Sequence, residues 1–226
     1  MTISVLHIGK TGGTALNTIL KEADKDKYLE FHGHRTYLSE LWNEFPERDV
    51  IFGVRDPISR YVSAFNSRLR QGLPRHHSPW TRKEQIIFSK FQTPNLLAEA
   101  LSSSNLEEKE AAEFAMRGIK HVNKKLTVFL GSVENLRNNE SKIKFVYLVE
   151  TMNSDFEIIK NILGIAADVT LPTDPVVAHK TPDGMSVELS ENAKRNLSSW
   201  YCEDIEIYEY CKDLRQRLVS KFSVTC

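Results

Sequence analysis

Apolar and polar positions along the chain switch repeatedly between a period near two and a period near 3.6. Residues 3–8, Ile-Ser-Val-Leu-His-Ile, form a short β-prone run that predicts a buried strand. The run stops at Gly9-Lys10-Thr11-Gly12-Gly13-Thr14, a turn-rich loop, and residues 15–20 continue with helical spacing. A second strand is predicted over 27–31, ending at His32-Gly33-His34, and a helix over 36–45. Asp49–Val54 is a third strand, ending at Arg55-Asp56-Pro57, and residues 58–69 are amphipathic and helical. Strands alternating with helices predict βαβ units and a parallel sheet, with ligands at the carboxyl ends of the strands. All three polar clusters fall there.

The middle of the chain is less regular. Residues 71–93 carry Gly72, Pro74, His76, His77, Pro79 and Trp80 and read as a long excursion, a candidate substrate loop. Helices are predicted over 95–104 and 106–119, a short extended piece over Leu126–Leu130, a strand over 144–150 and a helix over 154–163. A loop with three prolines spans 171–186, and a final helix spans 190–222, opened by Ser190 and Glu191 as N-cap and first turn.

Length and composition narrow the class. At about 100–200 residues per domain, 226 residues predict a single domain, 1–226. Hydrophobic residues at 41% and charged residues at 27% suit a soluble globular protein. Thirty Lys+Arg balance thirty Asp+Glu, which argues against non-specific nucleic-acid binding. Apolar runs reach only four or five residues, far short of the roughly 20 that span a bilayer. Residues 1–7 have neither the basic nor the apolar region of a signal peptide. Cys202, Cys211 and Cys226 are too few for a disulfide framework. Cys202 and Cys211 on one helix stand roughly 13 Å apart, too far to bridge. Three reduced thiols and a cytoplasmic location are expected.

A glycine-rich loop between strand and helix offers backbone N–H groups and a helix N-terminus to an anion. Lys10 adds a full charge, and Thr11 and Thr14 add hydroxyls. A nucleotide P-loop would need glycine at the position of Ser4, inside the strand, so the spacing does not fit. Arg55 leaves the third strand at the ligand edge with planar donors suited to phosphate. Ser63 follows eight residues later, about two turns into the next helix. Arg60 reads as solvated or paired with Asp56 at i, i+4. His32 and His34 flank a glycine at a strand end; either suits a general base near neutral pH, and no third metal ligand accompanies them. His7 reads as a core or supporting residue, and Glu150 as a structural partner.

These clusters, in this order, resemble the sulfotransferases that use 3′-phosphoadenosine 5′-phosphosulfate (PAPS). Residues 6–14 look like the loop that holds the 5′-phosphosulfate, with Gly9 where proline is common, and Arg55-Asp56-Pro57 through Arg60, Ser63 and Phe65 look like the element that holds the 3′-phosphate. The likeness is greatest to the carbohydrate branch that includes heparan sulfate 2-O- and 6-O-sulfotransferases, where a histidine after the second strand serves as base and the 2-O enzymes carry an HGH triplet. Residues 123–131 resemble a segment that packs near the nucleotide, and His179-Lys180-Thr181 a loop over the cofactor.

The resemblance implies an α/β, P-loop-like three-layer fold with a central parallel β-sheet flanked by helices. It implies that Lys10, Thr11, Gly12, Gly13, Thr14 and Ala15 hold the 5′-phosphosulfate, that Lys10 neutralises the leaving oxygen, and that Arg55 and Ser63 bind the 3′-phosphate, with Lys180 a further contact. His34 would take the proton from an acceptor hydroxyl, with His32 the second candidate. Lysine and backbone dipoles take the part that magnesium plays in many phosphoryl transfers, so no metal is expected. The expected acceptor is a glycan or other small hydroxyl compound. Family members of the secretory pathway have an N-terminal anchor; this chain starts almost at its first strand, so the expectation is a bacterial-type cytoplasmic enzyme rather than an excised domain. A P-loop-type kinase and a non-catalytic binding module of the same fold remain the alternatives.

Overall fold

The computed structural model describes residues 2–24, 28–74, 76–174, 182 and 184–223. In chain order the elements are β1 (Ile3–Leu6), α1 (Gly13–Ala23), β2 (Leu29–His32), α2 (Leu38–Glu44), β3 (Asp49–Val54), α3 (Pro57–Leu69), α4 (Arg82–Lys90), α5 (Pro94–Ala100), α6 (Leu106–Gly118), α7 (Leu126–Leu130), α8 (Val133–Asn138), β4 (Ile143–Leu148), α9 (Met152–Leu163), α10 (Glu191–Trp200) and α11 (Cys202–Ser223). They fall into two compact units. The first comprises residues 1–55, 126–179 and 206–226, the second 56–125 and 180–205.

The first unit is the predicted sheet with helices on both faces. All strand pairs are parallel, in the order β2-β1-β3-β4. Alternation along the strands assigns each face its partners. Leu6, Ile8, Val50, Phe52, Val54, Val146 and Leu148 pack against α2, α7, α8 and residues 207–214 of α11. Ile3, Val5, Leu29, Ile51, Phe145 and Tyr147 pack against α1 and α9, through Leu16, Leu20, Phe156, Ile159 and Leu163. Each such side chain stabilises by about 1.5–3 kcal/mol on full burial, which fixes the register because a one-residue slip would turn a strand's whole set outward. Asp155, fully buried, receives the Leu148 amide (2.9 Å) and the Arg215 guanidinium (2.7 Å from Nε), tying β4, α9 and α11 together.

The chain runs from β1 outward to β2 and then back across β1 to β3, so the connections that follow β1 and β3 leave in opposite directions. That is the switch point of an open parallel sheet, where a crevice opens at the carboxyl edge. The 7–12 loop and Arg55 follow β1 and β3, the two strands that flank that point.

The second unit is helical. Its core joins Tyr61, Phe65, Phe88, Leu97, Met116 and Tyr201. Residues 71–93 do not form one long loop: α4 occupies Arg82–Lys90, begun by a capping box in which Thr81 and Glu84 satisfy each other's backbone N–H. Leu126–Leu130, expected to be extended, is the short helix α7, because Leu126, Phe129 and Leu130 reach the sheet core from one side of a helical turn. The final helix is two, broken at Tyr201, whose buried hydroxyl donates to the Val122 carbonyl (3.0 Å). Arg60 is buried, 3% exposed, and its positive charge acts on Tyr201; it is not a solvated surface arginine.

Candidate active site

The loop after β1 is built by backbone conformations that residues reach only under constraint. Gly12 has φ +73°, which glycine adopts freely, but Lys10 has φ +69°, the left-handed region that costs an L-residue about 1–2 kcal/mol. Two left-handed residues in three, running into the start of α1, bend the backbone in the way that forms a concavity of N–H groups suited to an anion. Gly12 caps α1 without a side-chain hydrogen bond, and the first turn of α1 has no acidic residue. The helix therefore presents its N-terminal N–H groups and its positive dipole end with nothing of opposite charge in that turn.

The loop is fastened from three sides. Thr11 is fully buried and its hydroxyl donates to the Ile8 carbonyl (2.9 Å). The expected Thr11 hydroxyl contact to an anion is thus replaced by a structural one; only its backbone N–H remains for a ligand. Tyr147, whose phenol burial pushes well above its ordinary range, comes up beside the Thr11 hydroxyl. Tyr147 reaches the loop by lying across Gly53, its register partner on β3, in the space a side chain there would fill. Met152, opening α9, fills the space beside Gly12: a Cβ there would stand 2.6 Å from its Cε. Thr14 and Ala15 continue into α1, with Ala15 buried and Thr14 half-buried.

The two histidines of the His32-Gly33-His34 turn part ways. His32 pairs with Leu6 in the sheet, yet its Nε2 is hydrogen-bonded to Ser4 Oγ (3.0 Å), two residues back along β1, so its ring leans away from the carboxyl edge. Glu30 Oε1 lies 3.8 Å from the same nitrogen, and Arg48 bonds Glu30. Burial lowers the His32 pKa, Glu30 opposes that and Arg48 adds to it. His34 is exposed, and its ring meets the ring of His7 at 4.2 Å between centroids, tilted by 47°. His7 in turn covers Gly13, where a Cβ would stand 2.5 Å from the His7 ring. Lys10, the 12–15 segment, His7 and His34 thus belong to one neighbourhood at the carboxyl edge. Arg55, half-buried, leaves β3 at the same edge of the sheet.

Residues 2–211 match the model of the Sulfotransferase family. The chain belongs to that family. No curated protein matches it. The family carries with it the P-loop-like α/β fold seen here and sulfuryl transfer to a hydroxyl-bearing acceptor as the activity; its members generally use PAPS as donor.

The remaining candidates are distributed as follows. Ser63 lies on α3 in the second unit and is 7% exposed. Lys180, with His179 and Thr181, lies outside the described residues. Among the described residues no group of three or more His, Cys, Asp or Glu is arranged to hold a metal ion, and no helix is long and apolar enough to cross a membrane. Tyr147, Gly53 and Met152 are the supporting residues that sequence reasoning did not assign to the site, while His7 takes the second of its two expected parts, core or support. A glycine in the middle of an otherwise bulky strand was the available signal for one of them.

Proposed function

We propose that this sulfotransferase moves the sulfuryl group of PAPS to a hydroxyl of a carbohydrate acceptor by in-line displacement, with His34 as general base. The observation that supports it best is the chain of contacts from Gly13 through His7 to His34, which keeps an exposed imidazole beside an anion loop. The loop suits a phosphosulfate chemically: its donors are backbone N–H groups, a helix N-terminus and an ammonium. When bound, PAPS supplies an activated sulfuryl group with a good leaving phosphate.

Lys10 and the N–H groups of residues 12–14 hold that anionic end, the Ala15 N–H being spent on the Gly12 carbonyl (3.1 Å), and Lys10 neutralises the charge that grows on the bridging oxygen as the sulfur–oxygen bond breaks. Removing one such stabiliser costs about 10²–10³ in rate. His34 accepts the acceptor's proton, a contribution of about 10²–10⁴. His32, turned toward Ser4, is the weaker candidate. Arg55 is the proposed 3′-phosphate ligand; for Ser63 and Lys180 the proposal rests on the family likeness alone. The carbohydrate branch is proposed from the HGH triplet.

Calorimetry with adenosine 3′,5′-bisphosphate, with and without magnesium, followed by transfer of labelled sulfate to a panel of sugars and simple alcohols, tests this. Metal-independent binding that Arg55→Ala weakens, with transfer that Lys10→Ala and His34→Ala each slow by about 100-fold or more, is expected. Magnesium-dependent ATP binding in place of bisphosphate binding would overturn the donor, and full turnover by Lys10→Ala would overturn the loop's role.

A further inference from the structure

We infer that His7 is a positioning residue, whose ring sets the placement of the His34 imidazole over the start of α1. The inference rests on the reading of His34 as base. Three contacts of His7 carry it. Its N–H donates to the His32 carbonyl (3.0 Å), continuing the β1–β2 ladder one residue past the strands and fixing where the side chain leaves the sheet. One part of its ring rests on Gly13, the first residue of α1, so closely that no larger residue fits there without a shift. Its ring also meets His34 at 4.2 Å.

His34 itself lies beyond the end of β2, in an exposed turn that follows a glycine. The His7 ring thus converts a loop histidine into one referenced to the rigid sheet and to the helix that begins the anion loop. A base displaced by about 1 Å from its acceptor proton loses up to about 10²-fold in rate, so the contact matters in turnover rather than in donor affinity. What the inference assigns to His7 is the placement of a flat ring between Gly13 and His34.

The test compares His7→Phe with His7→Leu. Both fill space beside Gly13, but only phenylalanine keeps a ring against His34. His7→Phe should retain kcat within about threefold and His7→Leu should lose roughly 10–100-fold, while calorimetry gives both the wild-type affinity for adenosine 3′,5′-bisphosphate. In a His34→Ala background the same two changes should have no further effect on the residual rate.

Proton NMR of the His34 ring supplies a readout independent of turnover: its ring-current shift should survive His7→Phe and vanish in His7→Leu. Equal kcat for the two variants overturns the inference, whether both stay active or both fall. So does a His7→Leu penalty that persists undiminished without His34. If His34→Ala is itself fully active, the base assignment fails, and with it the catalytic consequence of the contact; the NMR comparison still decides the geometry. A ring shift unchanged by His7→Leu would show that the contact is absent.

Discussion

Glu84→Gln exchanges one oxygen for an NH₂ group and is expected to be among the most damaging single changes outside the active site. Glu84 is fully buried and accepts five hydrogen bonds. Arg68 Nε (2.7 Å) and the Lys120 amide (3.2 Å) donate to Oε1; Arg68 Nη2 (2.8 Å), the Thr81 amide (2.9 Å) and the Thr81 hydroxyl (3.1 Å) donate to Oε2. A glutamine NH₂ on either side would face donors. Arg68, itself 3% exposed, would lose its counter-charge while still holding the carbonyls of Ser78 and Pro79.

Burial alone would raise the Glu84 pKa, but the Arg68 and backbone donors outweigh it and hold it near about 2 against an ordinary 4.5. At about 1.4 kcal/mol per pH unit, that displacement corresponds to about 3 kcal/mol of stability. Breaking one side of a buried pair costs about 3–5 kcal/mol by general experience, which agrees. Because the folded pKa is depressed, this stability is fully present above pH 4.5 and is lost as pH falls from 4.5 toward 2.

Urea unfolding of wild type and Glu84→Gln at pH 7, 5, 4 and 3 checks both parts, with the difference between the two proteins cancelling the other carboxylates. Trp80, whose indole N–H donates to the Arg68 carbonyl (2.6 Å), reports on the same region by fluorescence. A gap of about 3–5 kcal/mol at pH 7 that narrows below pH 4.5 is expected. A gap under about 1 kcal/mol, or one that does not change between pH 5 and pH 3, would refute the reasoning.

Lys10→Gly should slow transfer by about 100-fold or more yet unfold no earlier than Lys10→Ala, and later by about 0.5–1 kcal/mol, since relief of the left-handed strain exceeds the entropy that glycine adds to the unfolded chain; thermal denaturation of the two variants measures this. Gly53→Ala should destabilise by about 1–3 kcal/mol, because its methyl group meets the Tyr147 ring in a packed core, and urea midpoints give the value. Alkylation followed by peptide mass spectrometry should label Cys202, which is exposed, in the native protein, and Cys211, whose thiol burial pushes far up, only in denaturant.

The strand–glycine loop–helix opening was legible because its signals are local: a β-branched run, three glycines and a return to helical spacing. The Thr81 and Glu84 capping box was equally local, and the helix it begins was obscured by the prolines and histidines before it and by the four charged or amide residues of its first turns. The helical state of Leu126–Leu130 was not legible, since Thr, Val and Phe favour strands by themselves and only the sheet core beneath them decides otherwise. Histidines 32 and 34 looked equivalent from spacing; what separates them is Ser4 on one side and His7 on the other, both supplied by a strand some 28 residues upstream. The inward-turned Thr11 hydroxyl was hidden for the same reason: a loop residue's rotamer depends on what packs behind it, here Tyr147 from far along the chain.

Strand order also bears on how the protein is made. Lys10, His34 and Arg55 leave the ribosome early, together with β1, β2 and β3, but the outer side of β3 is covered only by β4, roughly 90 residues later. At about 5–20 residues per second, the nascent chain carries that bare, uniformly apolar edge for roughly 5–20 s. A truncated product ending before residue 143 would hold most of the proposed chemistry and still be a substrate for holdase chaperones or a seed for aggregation, because its Val50-Ile51-Phe52-Gly53-Val54 edge is open to pairing with any other strand.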